Sequence, residues 1–94
     1  MKYPMKAFLL KTFSERAEMW EYETIGYMSD EYGEDMSVWK DNIRYWLMEY
    51  EVGGMLELTD AVPDTSGHYP GRLAHKYRLT SEGRSRINSM LGGE

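Results

Sequence analysis

A chain of 94 residues with 41% hydrophobic side chains, three Trp and eight Tyr can form one hydrophobic core but hardly two, so one domain spanning residues 1–94 is expected. The absence of cysteine excludes disulfides, thiolate metal sites and thiol nucleophiles. The net charge of −5 is divided unevenly, with −7 in residues 1–60 and +2 in residues 61–94. A basic end can indicate a nucleic-acid surface, whereas overall acidity counts against DNA binding through phosphate neutralisation alone.

No apolar run approaches the roughly 20 residues that span a bilayer, and no charged-then-apolar leader opens the sequence. We therefore expect a cytoplasmic protein without membrane contact.

Two amphipathic helices are predicted in the first third of the chain. The first begins at Pro4, which suits a first helical position. Its apolar residues have helical spacing, and they are Met5, Phe8, Leu9 and Phe13. The second contains Ile25, Met28 and Tyr32 and ends at Gly33, the residue preferred in a left-handed helix stop. Met19 and Trp20 are expected to be extended before it.

A third helix is predicted from Ser37, whose hydroxyl suits a helix N-cap, to the glycine pair at residues 53 and 54. At 100° per residue the helix has two distinct faces. The predicted inward face contains Trp39, Ile43, Trp46, Leu47 and Tyr50. The predicted outward face contains Ser37, Val38, Asp41, Arg44, Tyr45 and Met48.

The apolar period then changes to two, which predicts a strand over residues 55–61 and a second strand over residues 73–79. The loop between them, residues 60–72, is rich in turn-forming residues and is expected to be mobile. Thr80 or Ser81 can cap a last helix. Its buried stripe is expected to be Ile87, Met90 and Leu91.

The element order, together with the stretch "YRLTSEGRSRI", resembles winged-helix DNA-binding domains of PadR-like and MarR-like transcription regulators. In those domains a Tyr-x-Leu-Thr-x-x-Gly stretch leaves the second strand of the wing, and it matches Tyr77, Leu79, Thr80 and Gly83 here. The implied fold class is α+β: a winged helix-turn-helix with three helices, a two-stranded wing hairpin and a short C-terminal helix. Gly83 would let the last helix approach the hairpin without a Cβ in the way.

The resemblance implies that the third helix enters the major groove of double-stranded DNA and that the wing contacts its backbone. The candidate base contacts are then Ser37, Val38, Asp41, Arg44 and Tyr45. The candidate phosphate contacts are Arg72, Lys76 and Arg78. Asp41 departs from the pattern, because phosphates repel a carboxylate unless it accepts from cytosine or pairs with a cation. Lys40 is interpreted as an ordinary solvated charge.

Other functions are weighed against DNA binding. The apolar character that Val38, Tyr45 and Met48 give to the outward face suits a winged-helix protein-interaction module with an acidic surface and no DNA binding. The resemblance also suggests a homodimer. We find no motif for a catalytic nucleophile, a phosphate-cradling loop or a cofactor, and neither His68 nor His75 has partners at metal-ligand spacing. The chain is interpreted as a non-enzyme.

Overall fold

An α+β fold with four α-helices and one antiparallel sheet is formed by residues 4–92, the part of the chain that this computed structural model describes, without the side chains of residues 91 and 92. The helices are α1 (Met5–Lys11), α2 (Glu21–Tyr32), α3 (Lys40–Val52) and α4 (Ser81–Gly92). The strands are β1 (Glu18–Trp20), β2 (Leu56–Pro63) and β3 (Leu73–Leu79). Within these residues, no helix has the length and apolar character required to cross a membrane.

The sheet has the order β1-β3-β2, so β3 lies in its centre and pairs antiparallel with both neighbours. The predicted hairpin is confirmed, but β1 adds a third strand where the sequence predicted only an extended segment. Three residues are too few to produce a recognisable alternation, and β1 is a strand because it pairs with β3. Met19 opposes Tyr77 in this pairing, and both side chains are buried.

The predicted N-cap of α3 is wrong. A 3-10 turn over Met36–Trp39 precedes α3, and the carboxylate of Asp35 accepts hydrogen bonds from the backbone N–H of Ser37 at 3.0 Å and from its hydroxyl at 2.7 Å. Like a serine hydroxyl, a carboxylate can accept hydrogen bonds from the free backbone N–H groups in the first turn of a helix. Asp35 is therefore the N-cap residue of this turn, and Ser37 donates hydrogen bonds to it.

The predicted inward face of α3 is confirmed. Ile43, Leu47 and Tyr50 are buried, and Trp39 and Trp46 pack against the core while remaining partly exposed. The same core receives Phe13 from the 3-10 turn after α1, and Leu56 from β2. The predicted stop of α2 at Gly33 is also confirmed, since its φ of 72° is left-handed.

The junction between β3 and α4 has the predicted structure. The hydroxyl of Thr80 accepts a hydrogen bond from the backbone N–H of Gly83 at 3.0 Å, which is the N-cap arrangement. Ile87 is buried and Met90 packs against the core. The side chain of Leu91 lies outside the described part of the chain.

Three buried tyrosines, Tyr50, Tyr69 and Tyr77, are expected to make the stability of the fold decrease at alkaline pH. Burial raises the pKa of Tyr50 from 10.0 to about 12, and it also raises the pKa values of Tyr69 and Tyr77. Because the folded state favours the neutral phenol, this contribution is complete below pH 10 and is lost as the pH rises through the folded-state pKa.

We therefore expect the urea midpoint of unfolding, followed by tryptophan fluorescence, to fall from about pH 10 upwards. A Tyr50→Phe variant removes one of the three buried phenols, so its midpoint should fall less steeply with pH. A wild-type midpoint that is constant up to about pH 12 would contradict the assignment.

Candidate nucleic-acid interface

The loop between β2 and β3 is restrained by one carboxylate. Asp64 accepts hydrogen bonds from the backbone N–H groups of Ser66 at 3.1 Å, Gly67 at 3.1 Å and Tyr69 at 3.0 Å. The Ser66 hydroxyl also donates to it, and these bonds hold the pKa of Asp64 below its usual value. The turn-forming residues of this loop predicted that it would be mobile. In the structure the same residues form hydrogen bonds within the loop, and these bonds restrict its motion.

Tyr69 fixes this loop against the start of α3. Its side chain is buried, and its hydroxyl donates a hydrogen bond to the carbonyl oxygen of Lys40 at 3.1 Å. The guanidinium of Arg44 lies over the tyrosine ring, 4.1 Å from its centroid, which is a cation–π contact. Tyr69 therefore anchors the loop to the first turn of α3.

Arg44 is not on the outward face of α3, so its predicted orientation is wrong. Its Nε donates a hydrogen bond to one carboxylate oxygen of Glu21 at 3.1 Å, and its Nη2 donates to the other. Nη2 also donates to the carbonyl oxygen of Leu73 at 2.5 Å. Burial by itself would lower the pKa of Arg44, but the hydrogen bond and charge of Glu21 raise it overall. In this arrangement Arg44 joins α2, α3 and β3, and its Nε and Nη2 donors are engaged within the protein.

Glu21, the partner of Arg44, is a structural residue that the sequence analysis missed. It is the first residue of α2 and fully buried, and it also accepts the backbone N–H of His75 at 2.9 Å. The Nδ1 atom of His75 lies 3.8 Å from the same carboxylate. One acidic residue between Trp20 and Tyr22 is too common a pattern to identify a buried charge from sequence alone.

Four of the predicted contact residues lie close together. Ser37 and Val38 stand before α3, Asp41 is in its first turn, and the Arg72 guanidinium lies 3.5 Å from the Asp41 carboxylate. A hollow of about 170 Å³ separates the loop from α3 at this point. Its lining is Lys40, Asp41, His68, Tyr69, Pro70 and Arg72. Lys40 thus joins Arg72 beside the start of α3, although the sequence analysis assigned it no contact.

Lys76 and Arg78 do not converge with α3. The buried Tyr77 between them points to the core face of the sheet, so their side chains point to the opposite face. There Lys76 lies 3.7 Å from Glu18, and Arg78 forms an ion pair with Glu57. These two cations belong to a separate, charge-balanced surface.

The outward face of α3 is apolar along most of its length. Val38, Tyr45 and Met48 are exposed as predicted, by 80%, 61% and 45%. Val52, which the sequence analysis did not assign to this face, is 90% exposed at the end of the helix. No Lys or Arg occurs between residues 45 and 52, so the cations of α3 are confined to its first five residues.

Within residues 4–92, no group of three or more His, Asp or Glu side chains is arranged to hold a metal ion. Comparison of the chain with protein-family models, with curated proteins and with solved structures finds no match.

Proposed function

We propose that the chain is a winged-helix DNA-binding module of a transcription regulator, with α3 as the recognition helix and the β2–β3 hairpin as the wing. The order of helices and strands supports this proposal, because a helix pair followed by a hairpin and a closing helix is the arrangement of that fold. The observation that carries the functional part is the contact of Tyr69 with α3, which joins the wing loop and the start of α3 into one surface.

In this proposal the first turn of α3 faces the major groove. Recognition helices contact base edges with their N-terminal residues, which here are Ser37, Val38 and Asp41. Lys40 and Arg72 flank them and contact phosphates. Because Asp64 and Tyr69 already restrain the loop, little conformational entropy is lost when it meets DNA.

The charges of this surface imply weak, salt-sensitive binding. Arg72 is paired with Asp41, but exposed ion pairs contribute at most about 1 kcal/mol, so a phosphate can replace the carboxylate. Two cations release few counterions, and the net charge of −5 opposes association at long range. Specificity would therefore depend more on base contacts and shape than on total charge.

Titration of duplexes by fluorescence anisotropy at several salt concentrations tests this proposal. We expect binding at low salt to a duplex from the region upstream of the protein's own coding sequence. The double variant Lys40→Ala/Arg72→Ala should weaken binding to every duplex and flatten the salt slope by about 0.9 for each lost phosphate contact. Asp41→Asn should strengthen binding to non-specific duplexes roughly two- to fivefold, because it frees Arg72 from an exposed pair worth about 0.5–1 kcal/mol, and it should reduce discrimination between duplexes, because it removes the carboxylate proposed to contact a base.

The matched control is the double variant Lys76→Ala/Arg78→Ala, which removes the same charge from the opposite face of the sheet. Its affinity and salt slope should differ little from wild type. Equal losses in both double variants would show that binding follows net charge and does not use the α3 and wing surface.

A second candidate function is a winged-helix protein-interaction module. It is favoured by the exposed apolar side chains of α3 and by the absence of cations along the second half of that helix. If no duplex binds at low salt, including the upstream region, this candidate replaces the first.

A further inference from the structure

A chain of hydrogen bonds determines which ring nitrogen of His68 carries the hydrogen. The Ser66 hydroxyl donates to the Asp64 carboxylate at 2.6 Å, and this bond, with those from backbone N–H groups, holds the pKa of Asp64 below its usual value. An ionised carboxylate only accepts, so the hydroxyl hydrogen of Ser66 is used in this bond. The Ser66 oxygen can then only accept from Nδ1 of His68, which lies 3.2 Å away. Neutral His68 therefore carries its hydrogen on Nδ1, and its Nε2 is an acceptor.

Nε2 is the ring nitrogen of His68 that remains for a ligand. Within residues 4–92, no group forms a hydrogen bond with it. His68 lines the hollow of about 170 Å³ between the β2–β3 loop and α3, together with Lys40 and Arg72. Hydrogen bonds from Ser37 lower the pKa of Asp35, in the turn before α3, and the charge of His68 lowers it further. The imidazole therefore lies where the loop meets the start of α3.

The charges around His68 oppose an anion as long as its ring is neutral. Lys40 and Arg72 contribute two positive charges, and three carboxylates outweigh them. Burial raises the pKa of Tyr69, whose ring centroid lies 6.4 Å from that of His68, so this phenol stays neutral. A proton on His68 balances the charges and turns Nε2 from an acceptor into a donor. The three carboxylates are those of Asp35, Asp41 and Asp64.

We propose that protonated His68 is a third phosphate contact of the surface formed by α3 and the β2–β3 loop, so that duplex binding strengthens as the pH falls from about 8 to about 6. A neutral imidazole directs the lone pair of Nε2 towards the phosphate oxygens, whereas the protonated ring donates a charge-assisted hydrogen bond to them. Proton and phosphate therefore strengthen each other's binding. The inference rests on the proposed function and adds its regulation by pH.

His75 provides the matched control. Histidine is the side chain that changes charge between about pH 5 and 8, and the sequence contains two histidines and no cysteine. The Nδ1 atom of His75 lies 3.8 Å from the Glu21 carboxylate, and its side chain is only 22% exposed. Its ring contacts that of Tyr77 edge to face. An effect of His75 on duplex binding would therefore act through the fold.

Fluorescence anisotropy of a labelled duplex at about pH 6 and about pH 8, each at several salt concentrations, tests the proposal. At low salt the wild type should bind roughly three- to tenfold more tightly at the lower pH. Its salt slope should be steeper there by about 0.9, the value for one added phosphate contact. His68→Gln should show the affinity and slope of the wild type at about pH 8 under both conditions. His75→Gln should keep the wild-type dependence on pH.

His68→Lys separates the charge of the ring from a structural role. Lysine is positively charged at both pH values, so this variant should bind at about pH 8 as the wild type binds at about pH 6. A side chain that only supported the loop would lose binding in both variants of His68. Urea unfolding of each variant establishes that it is folded under the conditions of the titration.

The outcomes separate this inference from the proposed function. A wild-type salt slope that is the same at both pH values, or a pH dependence that remains in His68→Gln, would contradict the role of His68 while duplex binding stands. Loss of the pH dependence in a folded His75→Gln variant would assign it to the cluster around Glu21 instead. Absence of duplex binding at both pH values would contradict the proposed function and this inference together.

Discussion

Replacement of Gly83 with Ala is expected to destabilise the fold by about 3 kcal/mol or more. A Cβ at this position would lie 2.6 Å from Cδ1 of Leu79 and closer still to the carbonyl oxygen of Met55. The carbonyl belongs to backbone that cannot rotate away, and Met55 also accepts the N–H of Thr80 at 3.2 Å. The added methyl would therefore separate α4 from the hairpin. Urea unfolding measures the loss directly.

Gly26→Ala is the matched control for this substitution. Gly26 lies in α2, and a Cβ there would have no neighbour within 4 Å. Because Ala is favoured over Gly in a helix by about 1 kcal/mol, this variant should gain stability. A Gly83→Ala variant with the same urea midpoint of unfolding as wild type would contradict the close approach of α4 to the hairpin.

Replacement of Arg44 with Ala is expected to cost about 3–5 kcal/mol, because it leaves the fully buried carboxylate of Glu21 without its cation. The same substitution removes the donor to the carbonyl of Leu73 and the cation over the ring of Tyr69. For a small domain this is a large part of the total stability. Urea unfolding should show the loss, and the loop around Tyr69 should exchange its amide hydrogens faster.

Two comparisons separate the buried pair from an ordinary surface pair. Arg72→Ala breaks the exposed pair with Asp41 and should change stability by less than about 1 kcal/mol. The double variant Glu21→Gln/Arg44→Met should be more stable than Arg44→Ala, because it leaves no buried charge unpaired. Similar stability losses in Arg44→Ala and Arg72→Ala would contradict the buried pair.

The structural role of Arg44 changes how an effect of its substitution on the proposed DNA binding is to be interpreted. The sequence prediction placed Arg44 among the base contacts, so a loss of binding in Arg44→Ala would look like lost recognition. Since Arg44 and Tyr69 hold the β2–β3 loop on α3, the same loss would follow from a displaced loop. The variants of Lys40, Asp41 and Arg72 test recognition without disturbing this contact.

The sequence by itself determined the positions of most helices and strands, because apolar periodicity and helix termini depend on neighbouring residues. The inward face of α3, the stop at Gly33 and the cap at Thr80 all follow from spacing within a few residues. The alternation of β3 also places Lys76 and Arg78 opposite Tyr77. The prediction that Lys76 and Arg78 contact the same DNA as α3 did not consider that α3 packs on the other face of the sheet, beside Tyr77.

Only the tertiary structure decided which polar side chains are available to a ligand. Glu21 and Arg44 are 23 residues apart, and Tyr69 and Lys40 are 29 apart, so no local pattern connects either pair. The strand β1 exists only through its pairing with β3. A charged residue on the predicted outward side of a helix can still be buried when a loop and a second helix close over it. Burial of a charge depends on partners distant in sequence, whereas periodicity reports only the local chain.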